Sequence, residues 1–139
     1  MGRGSGLMAF GAAAFLGVSV LVANEKPPAE YVKAMKEINA ANQALRGHVQ
    51  AKDYDGIAKD AAALKPAFEA GLKYWSDKKV DDATGWAKDA VKAAGDLEQA
   101  AKDKNDEGVA AAQKVIGSSC RTCHTAHRVQ TGDGIYEIK

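Results

Sequence analysis

Aromatic side chains are scarce in this chain: Phe, Trp and Tyr make up 6% of its residues. That is thin for a hydrophobic core, because a small domain buries a lesser share of its surface than a large one. Net charge is missing as well. Nineteen Lys and Arg stand against 18 Asp and Glu, which gives no electrostatic case for nucleic acid or an anionic membrane surface as a partner. There is no glycine loop to cradle phosphate, no nucleophile beside a base and no mapped pair of carboxylates, so the chain does not read as an enzyme. One long apolar run occurs, from Leu7 to Val22 behind Arg3. At about 16 residues it is short for a membrane span, and Leu21-Val22-Ala23 resembles the small-residue cleavage site of an export signal. Residues 1–23 are therefore expected to be a signal peptide, or an N-terminal membrane anchor if they are retained. The remainder, about 115 residues, fits one small exported domain.

Cysteine is rarer still. The chain has two, Cys120 and Cys123, and both fall within Cys120-Arg121-Thr122-Cys123-His124. C-x-x-C-H is the pattern of covalent haem attachment: the two thiols add to the porphyrin vinyl groups, and the histidine that follows ligates the iron. With both thiols so used, none is left for a disulfide. A zinc site would need Cys120, Cys123, His124 and His127, all within one helical stretch, whereas structural zinc sites bring two ligand pairs together across a loop. A thioredoxin-type dithiol belongs beside a βαβ pattern, and no strand-like run precedes Cys120. A buried porphyrin would also supply apolar surface that the aromatic residues do not.

Strand signals are few, and four segments rich in Ala, Lys, Asp, Glu and Gln carry helical period. The first, Pro28 to Gln50, places Tyr31, Met35, Ile38, Asn42, Leu45 and Val49 on one stripe. The second, Tyr54 to Ser76, does the same with Ile57, Ala61, Leu64, Phe68, Leu72 and Trp75, and Pro66 should kink or divide it. The third, Asp81 to Lys102, offers Trp86 and then mostly small residues, Ala90, Ala94, Leu97 and Ala101. The fourth, Asp106 to Val129, carries Val109, Ala112, Ile116, Cys120, Cys123 and His127, so the motif continues an apolar face. Short connections favour an all-α, antiparallel up-down-up-down four-helix bundle over residues 24–129. In the tail, residues 130–139, Thr131-Gly132-Asp133-Gly134 signals a turn, and Ile135 to Ile138 reads as a short extended strand or an unpacked end.

Height along such a bundle selects a candidate second iron ligand. With the first and fourth helices antiparallel, His124 lies about 7.5 Å and Met35 about 9 Å from their shared end. Met35 is also where a core filler is expected, since it sits on an apolar stripe. His48 lies roughly 20 Å further along and reads as a solvated or end-packing histidine. The same argument brings Tyr31, Leu72, Trp75 and Trp86 around the porphyrin, where they equally serve as core. His127, one turn beyond His124, is expected to pack or hydrogen-bond nearby, and Arg128 to be an exposed cation at the helix end.

A single C-x-x-C-H at the end of a four-helix pattern, with Arg128 shortly after it, resembles the cytochrome c′ family, the class II c-type cytochromes. Cys120, Cys123, His124 and Arg128 carry the likeness, with Trp86 and Met35-Lys36 as weaker support. One departure is His127, where relatives usually have Tyr or Phe. The resemblance implies a periplasmic monomer or homodimer with one covalent haem c, serving redox partner proteins. It also implies two kinds of member: those with a first-helix methionine on the iron, which this chain is more like, and those with an open distal face. The first kind is expected to carry one electron between partners; the second to bind a small gas such as nitric oxide or carbon monoxide. The class I cytochrome fold is excluded, because only 15 residues follow His124 and none is Met.

Overall fold

A computed structural model describes residues 23–139, so the expected signal segment lies outside the described residues apart from its last position. Four helices follow one another, α1 (Ala29–Ala51), α2 (Tyr54–Asp77), α3 (Asp81–Lys102) and α4 (Asp106–His127), and a hairpin of β1 (Arg128–Gly132) and β2 (Ile135–Ile138) ends the chain. Among the described residues 78% are helical. No helix there is long and apolar enough to cross a membrane.

Contacts at the two ends set the helix directions. At one end Lys52 and Tyr54 both reach Asp106, the tyrosine hydroxyl donating at 2.8 Å. At the other, Trp75 lies 5.9 Å from Tyr31 and 5.0 Å from His127, ring to ring. The ends of α1 and the starts of α2 and α4 therefore meet at one pole, and the start of α1 meets the ends of α2 and α4 at the other. The order is up-down-up-down, as the short connections predict. Each helix packs on its neighbours in sequence, whereas α1 and α4 do not close on each other to the same extent.

All three interhelical turns use one device. Lys52, Lys79 and Lys104 adopt left-handed φ of 54°, 57° and 52°. In each turn the lysine N–H bonds the carbonyl three residues back and the next N–H bonds the carbonyl five back, as in Asn105 to Ala100 at 2.9 Å. This is the Schellman closure, usually made by glycine. Asp53 and Asn105 then cap α2 and α4, each accepting from an N–H three residues on at 3.0 Å.

Pro66 does not divide α2, which runs unbroken from Tyr54 to Asp77. Ala62 and Pro66 both lie on its exposed face, where water can replace the donor that proline lacks. The core from Ile38 to Val109 is apolar and tightly covered, with Leu45, Ile57, Leu64 and Leu97 almost wholly buried. The α3 helix contributes chiefly alanines, Ala90, Ala93, Ala94, Ala100 and Ala101, which lets its neighbours approach closely. A second cluster gathers Tyr31, Trp75, Ala83 and Ile138 at the other pole.

The end of the chain differs from the expectation. The fourth helix stops at His127 rather than Val129, because Arg128 turns to extended backbone (φ −117°, ψ 135°). Residues 128–132 then pair with 135–138 across a turn in which Gly134 has a φ of 69°. The tail is a packed strand. Ile138 is 9% exposed in the second cluster, and its N–H and carbonyl both bond Glu25, at 2.8 and 2.9 Å.

Candidate functional site

Where α1 and α4 stay apart, the bundle holds a cavity of about 700 Å³, within the roughly 300–1,000 Å³ of sites for drug-sized ligands and cofactors. Tyr31, Met35, Ile38 and Leu45 line it from α1, Phe68, Gly71 and Trp75 from α2, and Trp86, Ala87 and Ala90 from α3. From α4 come Ile116, Ser119, Cys120, Cys123, His124 and His127, and from the hairpin Arg128, Gly134, Tyr136, Glu137 and Ile138. All seven residues singled out from the sequence, Cys120, Cys123, His124, Met35, Arg128, Tyr31 and Trp86, thus meet on one cavity. Tyr31, Met35 and the motif stand near one pole of antiparallel α1 and α4, as the height argument has it, whereas Arg128 reaches the cavity from β1.

The electrostatics of the motif follow from its position. Cys120 and Cys123 are free and half-buried. Burial pushes the Cys120 thiol up, and pushes Cys123 up to about 11, assisted by Cys120 and Asp82 and opposed by Arg128. Neutral thiols argue against a redox dithiol, which needs a depressed thiol pKa. Among the described residues no three His, Cys, Asp or Glu side chains converge as a metal would require. Burial, with Arg128 adding to it, holds His124 below the usual histidine range. A neutral imidazole is the form that ligates a metal. Tyr31 is pushed up to about 12, chiefly by burial, and stays an uncharged wall.

Met35 spans the two core clusters, and its methyl lies against α2, 3.4 Å from where a Cβ on Gly71 would stand. Leu72, expected beside the porphyrin, does not line the cavity; its neighbour Gly71 does. His127 Nε2–H donates to the Asp82 carboxylate, at 3.0 Å from Oδ1 and 3.1 Å from Oδ2, and its ring sits 5.0 Å from Trp75 and 6.0 Å from Trp86. It thereby ties the last turn of α4 to the start of α3. Arg128 is exposed, with its guanidinium 4.3 Å over the Tyr136 ring. His48 lies away from the cavity, its Nδ1 2.6 Å from the buried Asp60, which is the end-packing role expected of it.

Sequence reasoning missed Asp82, Gly71 and, of the hairpin, its first strand and its place on the cavity. Asp82 looks like any acid in a helix's first turn, and Gly71 interrupts no pattern. Ile138 is held beside the cavity by pairing with Glu25, across more than a hundred residues, which no local signal announces.

The donor set fits the group that C-x-x-C-H implies: two thiols and an imidazole on one wall, a thioether on another, and apolar surface between. Comparison with protein-family models, with curated proteins and with solved structures returns no match.

Proposed function

We propose that this chain is a class II c-type cytochrome of the cytochrome c′ kind, an exported carrier of single electrons between redox partner proteins. One observation supports the reading above the rest: both thiols of C-x-x-C-H, His124 and Met35 line one largely apolar cavity of about 700 Å³. Cys120 and Cys123 would anchor the haem by thioethers, His124 would present a neutral imidazole to the iron, and Met35 a thioether from α1. Haem c held there supplies one-electron chemistry, and methionine ligation raises its potential. The chain's remaining task is to exclude water and hold geometry. Tyr31, Phe68, Trp75 and Trp86 wall the site, and the His127–Asp82 pair fixes the turn that carries His124.

A gas-binding protein with an open distal face is the second reading, and the seat of the Met35 methyl against Gly71 is compatible with it, since a pure core filler would pack the same way. Optical spectra of the oxidised and reduced protein decide between them. A low-spin ferric spectrum with a weak sulfur-to-iron band supports the carrier; a high-spin spectrum with immediate carbon monoxide uptake overturns it.

A further inference from the structure

Over residues 23–139 acidic and basic side chains are equal in number, yet they are not evenly spread. Lys36, Arg46, Arg121 and Arg128 line the cavity, against a single acid, Glu137. The rest of the described surface is therefore net negative. These cations include every arginine among the described residues. All four are exposed and, among the described residues, none is in an ion pair; other lysines are unpaired too, so it is their gathering on one cavity that sets these four apart. Lys36 and Arg46 stand on the α1 lip, Arg121 and Arg128 at the end of α4. Arginine is the residue suited to planar, two-point recognition of carboxylates. Beside the rim, the hairpin exposes Ile135 at 55% and Tyr136 at 41%, and an apolar centre with a polar rim is the usual anatomy of a protein interface.

We infer that the mouth of this cavity is a docking face for an acidic protein partner, one whose carboxylates surround its own redox centre. The inference rests on the electron-carrier reading and names the partner that reading leaves open. Such a face works through steering: opposite charges raise the encounter rate, and salt screens the effect.

The test uses holoprotein on gold electrodes coated with carboxylate-terminated or amine-terminated monolayers, the carboxylate layer standing in for the partner. A reversible wave is expected on the carboxylate surface alone, with coverage falling about tenfold as salt is raised from about 10 to about 150 mM, roughly 30 to 8 Å in screening length. Lys36→Glu/Arg46→Glu should lower that coverage about tenfold, while Lys59→Glu/Lys65→Glu, with the same net charge, should leave it within about twofold. Should the rim pair misfold, Lys36→Gln/Arg46→Gln replaces it, with a smaller loss in the same direction. Equal losses in both double variants would show that only net charge matters and would overturn the docking face. An unchanged rim variant would mean that these cations serve the cofactor's own carboxylates, which overturns it too, as would a stronger wave on the amine surface. No wave on either surface, from protein with an intact haem spectrum, would sink the carrier reading and the docking face together.

Discussion

Replacing Cys123 with Ala would take one of two anchoring thiols off a cavity wall where both are half-buried. Holoprotein yield should fall sharply, since covalent capture then depends on Cys120 alone, and the ratio of haem absorbance to protein measures it. Met35→Ala is the more discriminating change. Loss of a side chain that bridges both core clusters should cost about 2 kcal/mol, the low end for a methionine truncation because Met35 is only half-buried. That cost is common to both readings. The spin state is not: the variant should become high-spin and take up carbon monoxide faster than the wild type, and an unchanged spectrum would leave Met35 as core only.

At the scale of elements, the three turns carry a local conflict. Lys104 holds a φ of 52° that glycine adopts without strain, so Lys104→Gly should stabilise the fold by about 0.5 to 1 kcal/mol, read as a rise in Tm. The hairpin clasp is sensitive to acid. Lys78 first, and then Tyr74, hold the Glu25 carboxyl below its ordinary 4.5. A depressed carboxylate contributes stability that is complete above the unfolded value and is lost as pH falls through the folded one. The stability difference between wild type and Glu25→Gln, read from Tm, should thus be present at neutral pH and amount to less than about 1 kcal/mol for so exposed a pair. It should begin to shrink below the ordinary 4.5 and vanish once pH has fallen through the lowered folded value.

These elements also mark what could be read beforehand. Helix positions were legible because Tyr31, Met35, Ile38 and Leu45, like Ile57, Leu64 and Phe68, recur at helical spacing, and because the connections at Lys52-Asp53 and Lys104-Asn105 are short. The cavity's lining was legible in part, because Tyr31, Met35, Cys120 and Cys123 lie on such stripes. Pro66 misled because its cost depends on whether Ala62 faces solvent, which no local pattern states. In the hairpin the turn and the extended second strand could be read, but the first strand stayed hidden because Val129 extends a helical stripe in sequence, while Ile138 packs beside Tyr31 and Trp75.

At the scale of the whole molecule, a bundle poor in aromatics leaves a gap between α1 and α4 and lines it with the only two cysteines. That combination makes sense if a large apolar group completes the core, and it sets the central claim: haem is joined covalently to Cys120 and Cys123. The most direct measurement is the intact mass of the polypeptide, produced in a host that attaches haem to exported cytochromes, after denaturation and acid-organic extraction. The mass of the chain plus one haem is the expected result. A mass equal to the bare chain, from protein that was red before extraction, would contradict the account.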